Sequence, residues 1–271
     1  MEQIEKGCFE VPHPYGGPTA SVPAAPDQIH TIVFWSKNFG PFLEGGYGRR
    51  LLDKGYNLFF NFTINSENPG LEPEVPPLME RLCQLKRLAD LFGPKTIQWR
   101  FDPICYYKEA SGREGDNLGQ FARIARWASD AGIETCITSF VDLYRKVIRR
   151  LSASALTLYD PPMARKIEQI ADMAGGLEPL GLCLKLCCEK ELLAALPEKV
   201  NATAAACIPN HRLAELYGSD VTLRRDTGQR VASGCGCRYS RDIGSYRLHP
   251  CHHNCLFCYA NPAIDSAPVQ R

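Results

Sequence analysis

Leu78-Met79-Glu80-Arg81-Leu82-Cys83-Gln84-Leu85-Lys86-Arg87-Leu88-Ala89-Asp90-Leu91-Phe92-Gly93-Pro94-Lys95-Thr96-Ile97-Gln98-Trp99-Arg100-Phe101-Asp102 is the stretch from which the fold can be read. In its first part Leu78, Leu82, Leu85, Leu88, Ala89 and Phe92 recur at helical spacing and make one apolar stripe. Gly93-Pro94 stops that helix, because glycine takes a left-handed cap and proline cannot continue the turn. A short apolar run, Thr96 to Phe101, then reads as a buried strand that ends in the polar residues Arg100 and Asp102.

The same unit repeats along the chain. Strand-like runs are expected at Ile29 to Trp35, Tyr56 to Ile64, Thr96 to Phe101, Ile133 to Ser139, Gly181 to Cys187 and Val200 to Ile208. A helix capped by Asn117 runs through Phe121, Ile124, Ala125 and Ala128 to a left-handed cap at Gly132. Further helices are expected at Val141 to Leu151, Pro161 to Met173, Lys190 to Leu196 and Asn210 to Tyr217, with Gly175-Gly176 read as a stop signal. Strict alternation of strand and helix implies an α/β fold of TIM-barrel-like parallel βα units, complete or partial. Residues 1–28, rich in proline and glycine, read as an extended arm, 29–219 as the barrel-like body, and 220–271 as a cysteine-rich irregular cap of the same domain.

Composition excludes several function classes. The 271 residues can bury a full core, and 31 basic against 30 acidic residues create no broad field for nucleic acid or an anionic membrane. The start of the chain has no apolar run of the signal-peptide kind, and no run approaches the roughly 18 apolar residues of a membrane span. A cytoplasmic protein is expected. Its 13 cysteines then point to metal ligands or buried thiols rather than disulfides. Cys8, Cys83, Cys105, Cys136 and Cys183 stand singly and read as small core hydrophobes.

In parallel barrels the active site forms where strands end, so polar residues there are candidates for chemistry. Lys37, Arg100 and Asp102 are the candidate catalytic residues, with Ser36, Asn38, Thr63, Asn65, Ser139, Asp142, Cys187, Glu189 and Cys207 at the same ends. Lys37 and Arg100 can pair with the neighbouring acids or bind an anionic group of a small-molecule substrate. Asp102 and Asp142 have an alternative reading as turn and capping residues. Tyr144 to Arg150, rich in arginine and lysine, reads as a solvated helix face rather than a nucleic-acid contact.

The densest chemistry lies at His249-Pro250-Cys251-His252-His253-Asn254-Cys255-Leu256-Phe257-Cys258-Tyr259. Three cysteines this close can wrap one loop around a metal cluster, whereas a disulfide uses only two. Four irons held by three thiolates leave one iron open to another ligand. Zinc is the rival, since His249, His252 and His253 surround the thiols. Cys235-Gly236-Cys237, with Cys207 and a donor from Cys187 or Cys188, offers a second cluster, a zinc site or free thiols.

Cys251, Cys255 and Cys258, with Phe257 before the last, resemble the cluster loop of radical S-adenosylmethionine enzymes. Val33-Phe34-Trp35-Ser36-Lys37-Asn38, Arg100-Phe101-Asp102-Pro103-Ile104, Gly228-Gln229-Arg230, Cys235-Gly236-Cys237 and Asp242-Ile243-Gly244 extend the likeness, which is similar to domain-of-unknown-function family 1848. The resemblance implies a 4Fe-4S cluster on Cys251, Cys255 and Cys258, S-adenosylmethionine on the open iron, and an electron donor such as a flavodoxin or ferredoxin. It also implies a strand upstream of the arm, so the barrel is expected to be incomplete. Arg230 and Tyr259 are the candidate cofactor contacts; Tyr259 and Tyr246 are expected mainly to pack near the cluster. Gly175-Gly176-Leu177-Glu178 lacks the spacing of that superfamily's methionine-binding stretch. A zinc-stabilised non-catalytic module and an electron-transfer protein are the competing functions.

Overall fold

The computed structural model describes residues 1–12, 17–152, 154–245 and 249–258. The chain begins with α1 (Glu2–Glu5) and the hairpin strands β1 (Cys8–Val11) and β2 (Ala20–Pro23), so the expected arm is partly folded. Next come β3 (Ile32–Ser36), α2 (Gly40–Glu44), α3 (Tyr47–Asp53), β4 (Leu58–Thr63), α4 (Leu78–Phe92) and β5 (Ile97–Ile104). The middle holds β6 (Tyr106–Glu109), β7 (Glu114–Asp116), α5 (Phe121–Asp130), β8 (Thr135–Phe140), α6 (Arg145–Leu151), β9 (Leu156–Tyr159) and α7 (Met163–Leu177). The chain continues through β10 (Cys183–Leu186), α8 (Lys190–Ala195), β11 (Ala202–Ala204) and α9 (Asn210–Tyr217). Beyond α9 the described backbone is irregular apart from a 3₁₀ turn at Val231–Ser233 and an isolated bridge between Arg225 and Arg238.

The main sheet has six parallel strands in the order β11-β10-β8-β5-β4-β3. Strands follow one another in sequence order, as in a barrel, but the described strands do not close. The sheet nevertheless curls. Asn61 on β4 donates a hydrogen bond from Nδ2 to the carbonyl of Cys207, just past β11, at 2.8 Å, although β5, β8 and β10 lie between those strands in the sheet. Tyr217 of α9 reaches the carbonyl of Leu58 at 2.6 Å, and His30 Nε2 meets the carbonyl of Gly218 at 2.9 Å. The helix after the last strand therefore returns to the first strands.

Alternation within β4 and β5 sorts the side chains. Phe60, Phe62, Trp99 and Phe101 are fully buried in the main core with Leu82, Leu85 and Leu88 of α4 and Ile124 and Ala128 of α5. Trp99 stacks on Phe121 with centroids 5.5 Å apart, and Phe39 meets Phe62 edge-on at 4.9 Å. Asn61, Gln98 and Arg100 alternate with these and turn toward residues 206–207. The concave face is therefore polar, the feature that positions the site.

Several expectations are corrected. Asn117 does not cap α5, whose N-cap is Gln120; it is buried, with Oδ1 accepting from the Cys105 N–H and Nδ2 donating to the Pro103 carbonyl. Gly175 and Gly176 lie inside α7, where neighbouring turns supply the helical hydrogen bonds and the helix runs on to Leu177. Alternation is not strict either, because β7, β6 and β9 form a separate antiparallel sheet beside the main one. Cys105 and Cys136 are buried as expected, but Cys83 and Cys183 are exposed, on the solvent side of α4 and at the start of β10. Gly132 does take the left-handed conformation, with φ +76°.

Phe62→Ala removes a ring with no exposed surface and should lower unfolding free energy by about 3–5 kcal/mol in urea titration. Leu91→Ala, on the exposed side of α4, should stay within about 0.5 kcal/mol of the parent chain.

Candidate metal centre and strand-end site

Parallel strands carry their polar ends to one edge, and here that edge holds a continuous hydrogen-bonded network. Arg100 is buried at the end of β5. Its Nη1 donates to Cys207 Sγ at 2.7 Å and its Nη2 to Asp102 Oδ2 at 2.5 Å. Trp35, half exposed, lies against the guanidinium with its ring centre 4.3 Å away. Ser139 Oγ donates to the other Asp102 oxygen at 2.5 Å. The Asp102 N–H donates to Asn65 Oδ1 at 2.8 Å, and Asn65 Nδ2 donates to Glu72 Oε1 at 2.9 Å. Glu72 in turn holds Lys37 Nζ at 2.6 Å.

The charges along this network sustain one another. Burial opposes the charge on Arg100, yet Asp102 and the thiols of Cys207 and Cys187 hold its pKa above the usual arginine value. Burial likewise works against Lys37, and Glu72, Cys255 and Asp102 together raise it. Both cations are paired with acids, Arg100 with Asp102 and Lys37 with Glu72, and Asp102 lies within β5 rather than in a turn. Asp142 is not a helix cap, since α6 starts after Tyr144; it pairs instead with Arg230. Glu189 accepts the Phe140 N–H at 2.8 Å, and burial raises its pKa.

The cysteine loop docks at the Lys37 end of this network. The Phe257 ring centre lies 5.3 Å from Lys37 Nζ. Leu256 N–H donates to the Leu71 carbonyl at 2.8 Å, and Arg150 Nη1 donates to the Cys255 carbonyl at 2.7 Å. His253 Nδ1 lies 3.2 Å from the Glu74 carbonyl, and burial lowers its pKa. Cys255, Leu256 and Phe257 share a small core with Leu71, Cys105, Val141, Val147 and Leu158. Within the loop Cys255 is buried, Cys258 half-buried and Cys251 exposed. Burial pushes the Cys255 thiol up to about 12; Lys37 works against that shift, and Glu72, Cys258 and Cys251 add to it.

A second group of thiols gathers at the Arg100 end. Cys187 and Cys188 follow β10, Cys207 follows β11, and Cys235 and Cys237 come from the irregular tail. Sγ of Cys187 lies 3.6 Å from that of Cys207 and 3.9 Å from that of Cys188. Hydrogen bonds from Cys188 and Cys207 favour the thiolate at Cys187, and one from Cys207 favours it at Cys237. Arg230 adds its charge to the Cys187 and Cys188 side of this group. Among the described residues, no three His, Cys, Asp or Glu side chains already surround a common metal position.

The candidates thus fall into two places. Lys37, Cys251, Cys255 and Cys258 lie at one end of the network, Arg100, Cys207, Cys235, Cys237 and Arg230 at the other, with Asp102 between. Tyr259 and Tyr246 lie outside the described residues. Sequence reasoning placed Asn65 at a strand end but missed Glu72, Leu71 and Arg150. Glu72 sits among the prolines of Pro69, Pro73, Pro76 and Pro77, with no strand end to mark it. Arg150 was masked by its basic helix.

Lys37→Met leaves the Glu72 carboxylate buried without its cation and should cost about 3–5 kcal/mol at pH 7, while Lys37→Met/Glu72→Gln should cost less. Because the fold raises the Lys37 pKa above 10.5, the pair's contribution is complete at pH 7. On the alkaline side it is lost as pH rises through the folded lysine's own pKa, which pH-dependent urea titration will detect.

No helix among the described residues is long and apolar enough to cross a membrane. No curated protein matches the chain. The profile of the family described as Domain of unknown function (DUF1848) matches residues 1–260, nearly the whole of the sequence and both groups of thiols, and the chain belongs to that family.

Proposed function

We propose that this protein is an iron-sulfur enzyme of the radical S-adenosylmethionine kind, built on a partial TIM-type barrel. The observation that carries the reading is the docking of the Cys251, Cys255 and Cys258 loop against Lys37, at the edge where the parallel strands end. Ligands of open α/β sheets and barrels bind at that edge. The donor set fits the group: three closely spaced thiols and no fourth cysteine in the loop, as an open-iron cluster requires. Buried polar atoms without a partner among the described residues, Glu72 Oε2 and Arg100 Nε, support a further ligand nearby.

Cys251, Cys255 and Cys258 would hold a 4Fe-4S cluster, which with S-adenosylmethionine supplies reductive cleavage of a sulfonium when bound. The chain's own groups have other tasks. Lys37 offsets negative charge beside Cys255 and favours the thiolate that metal binding needs. Glu72 and Asn65 fix Lys37, and Asp102 fixes Arg100, so the mouth presents oriented polar groups to a small substrate. Leu256 and Phe257 shield the Cys255 side from water. An electron donor of flavodoxin or ferredoxin type would dock over Cys251, the exposed end of the loop. Cysteines read as metal ligands and buried thiols suit a reducing, cytoplasmic setting.

Protein purified without oxygen should be brown and carry about four irons and four sulfides per chain on the loop thiols. Cys255→Ala should lose them. With S-adenosylmethionine and a strong reductant, the parent protein should release 5′-deoxyadenosine. Iron without cleavage would make the protein an electron carrier, and a colourless protein with zinc on Cys251, Cys255 and Cys258 would make the loop structural.

A further inference from the structure

We propose that Cys187, Cys207, Cys235 and Cys237 form a second metal site that takes one thiophilic ion of the zinc class, separate from the tail loop. Three remote segments supply these thiols, and the fold gathers them at the end of β10 and β11. Buried cysteine usually serves as a small hydrophobe. Here five of the eight residues in this cluster are cysteines, with only Ile137, Ala205 and Ile208 beside them.

The separation of the two strand-end sulfurs favours a single ion. Tetrahedral coordination with metal–sulfur bonds of about 2.3 Å sets the ligand sulfurs about 3.8 Å apart. The Cys187 to Cys207 separation is 3.6 Å. Cys237 Sγ accepts the N–H of Cys207 at 3.2 Å and of Ile208 at 3.4 Å, the donors a metal-bound thiolate uses around it. Arg100 Nη1 supplies a further charged donor to Cys207, so anionic sulfur is compensated on the side that faces the sheet.

The backbone is shaped to bring these thiols in. A Cβ on Gly236 would sit 2.6 Å from the Ala205 carbonyl oxygen, so only glycine lets Cys235 and Cys237 lie against the end of β11. The Gly236 N–H donates to that same oxygen at 3.1 Å. Cys188 adopts φ +60°, a left-handed conformation costly for a side-chain-bearing residue. That turn sets Cys188 Sγ 3.9 Å from Cys187 Sγ, at the edge of the nest. Cys235 is preferred as fourth ligand because it packs against the same cluster two residues before Cys237.

The test uses full-length protein in which Cys251, Cys255 and Cys258 are all alanine, so the tail loop cannot contribute. Reduced, metal-free protein is titrated with cobalt(II), then zinc, and its thiols are mapped by alkylation and mass spectrometry. One equivalent of cobalt should bind with the sulfur-to-cobalt charge-transfer band of tetrahedral thiolate ligation. Zinc should displace it and slow alkylation of Cys207 and Cys237 at least tenfold, with no slowing at exposed Cys183. Cys207→Ser or Cys237→Ser in that background should abolish the band. Weak octahedral binding, unprotected Cys207 and Cys237, or a disulfide between Cys187 and Cys207 forming in place of metal uptake would overturn the proposal. None of these results depends on iron in the tail loop, so the two sites stand or fall separately.

Discussion

A guanidinium cannot shed its proton, so burying Arg100 obliges the carboxyl end of the sheet to surround it with acceptors. That obligation explains much of the site. Asp102 occupies one side of the cation and is itself held by Ser139 and Asn65; Cys207 occupies the other, and Trp35 covers the flat face. These partners come from β3, β5, β8, the turn after β4 and the turn after β11. One ion therefore ties together elements from nearly the full width of the sheet. Removing any partner leaves a charge in a poorly solvated place, which is why such arrangements are held rigidly.

From Arg100 the network continues through Asp102, Asn65 and Glu72 to Lys37, and so joins the two groups of sulfur. The thiols at its ends differ in character. Those near Arg100 come from three segments already fixed by the sheet, whereas those near Lys37 belong to one short loop laid on a minor core. Parallel strands with sequential order produce this division, because they bring successive strand ends to one edge in the order of the chain.

The strands of the main sheet were legible because each is a short apolar run bounded by turn residues, and α4 and α9 because their periodicity agrees with their stops. Asn117 shows where local rules fail: it has the chemistry of a cap, but buried backbone groups of Cys105 and Pro103 need its amide more. Gly175 and Gly176 show the same for stop signals, as the helix around them is held by Ile170, Met173, Ala174 and Leu177 in the core. The strand-end placement of Lys37, Arg100 and Asp102 was visible because alternation and strand length fix it. Glu72 and Arg150 were not visible, since their roles arise from contacts between segments 35 and 105 residues apart in sequence. The grouping of Cys235 and Cys237 with Cys207 and Cys187 was anticipated from the strand ends, and the pairing of β10 with β11 brings Cys187 and Cys207 side by side.

Leu256 and Phe257 serve as pegs that seat the tail loop among Leu71, Val141, Val147 and Leu158. Drawing both pegs into water costs on the order of 3–6 kcal/mol, so the undocked form is a rare visitor, about one molecule in a hundred to one in tens of thousands. A reagent that attacks the Cys255 thiol from water must wait for that excursion.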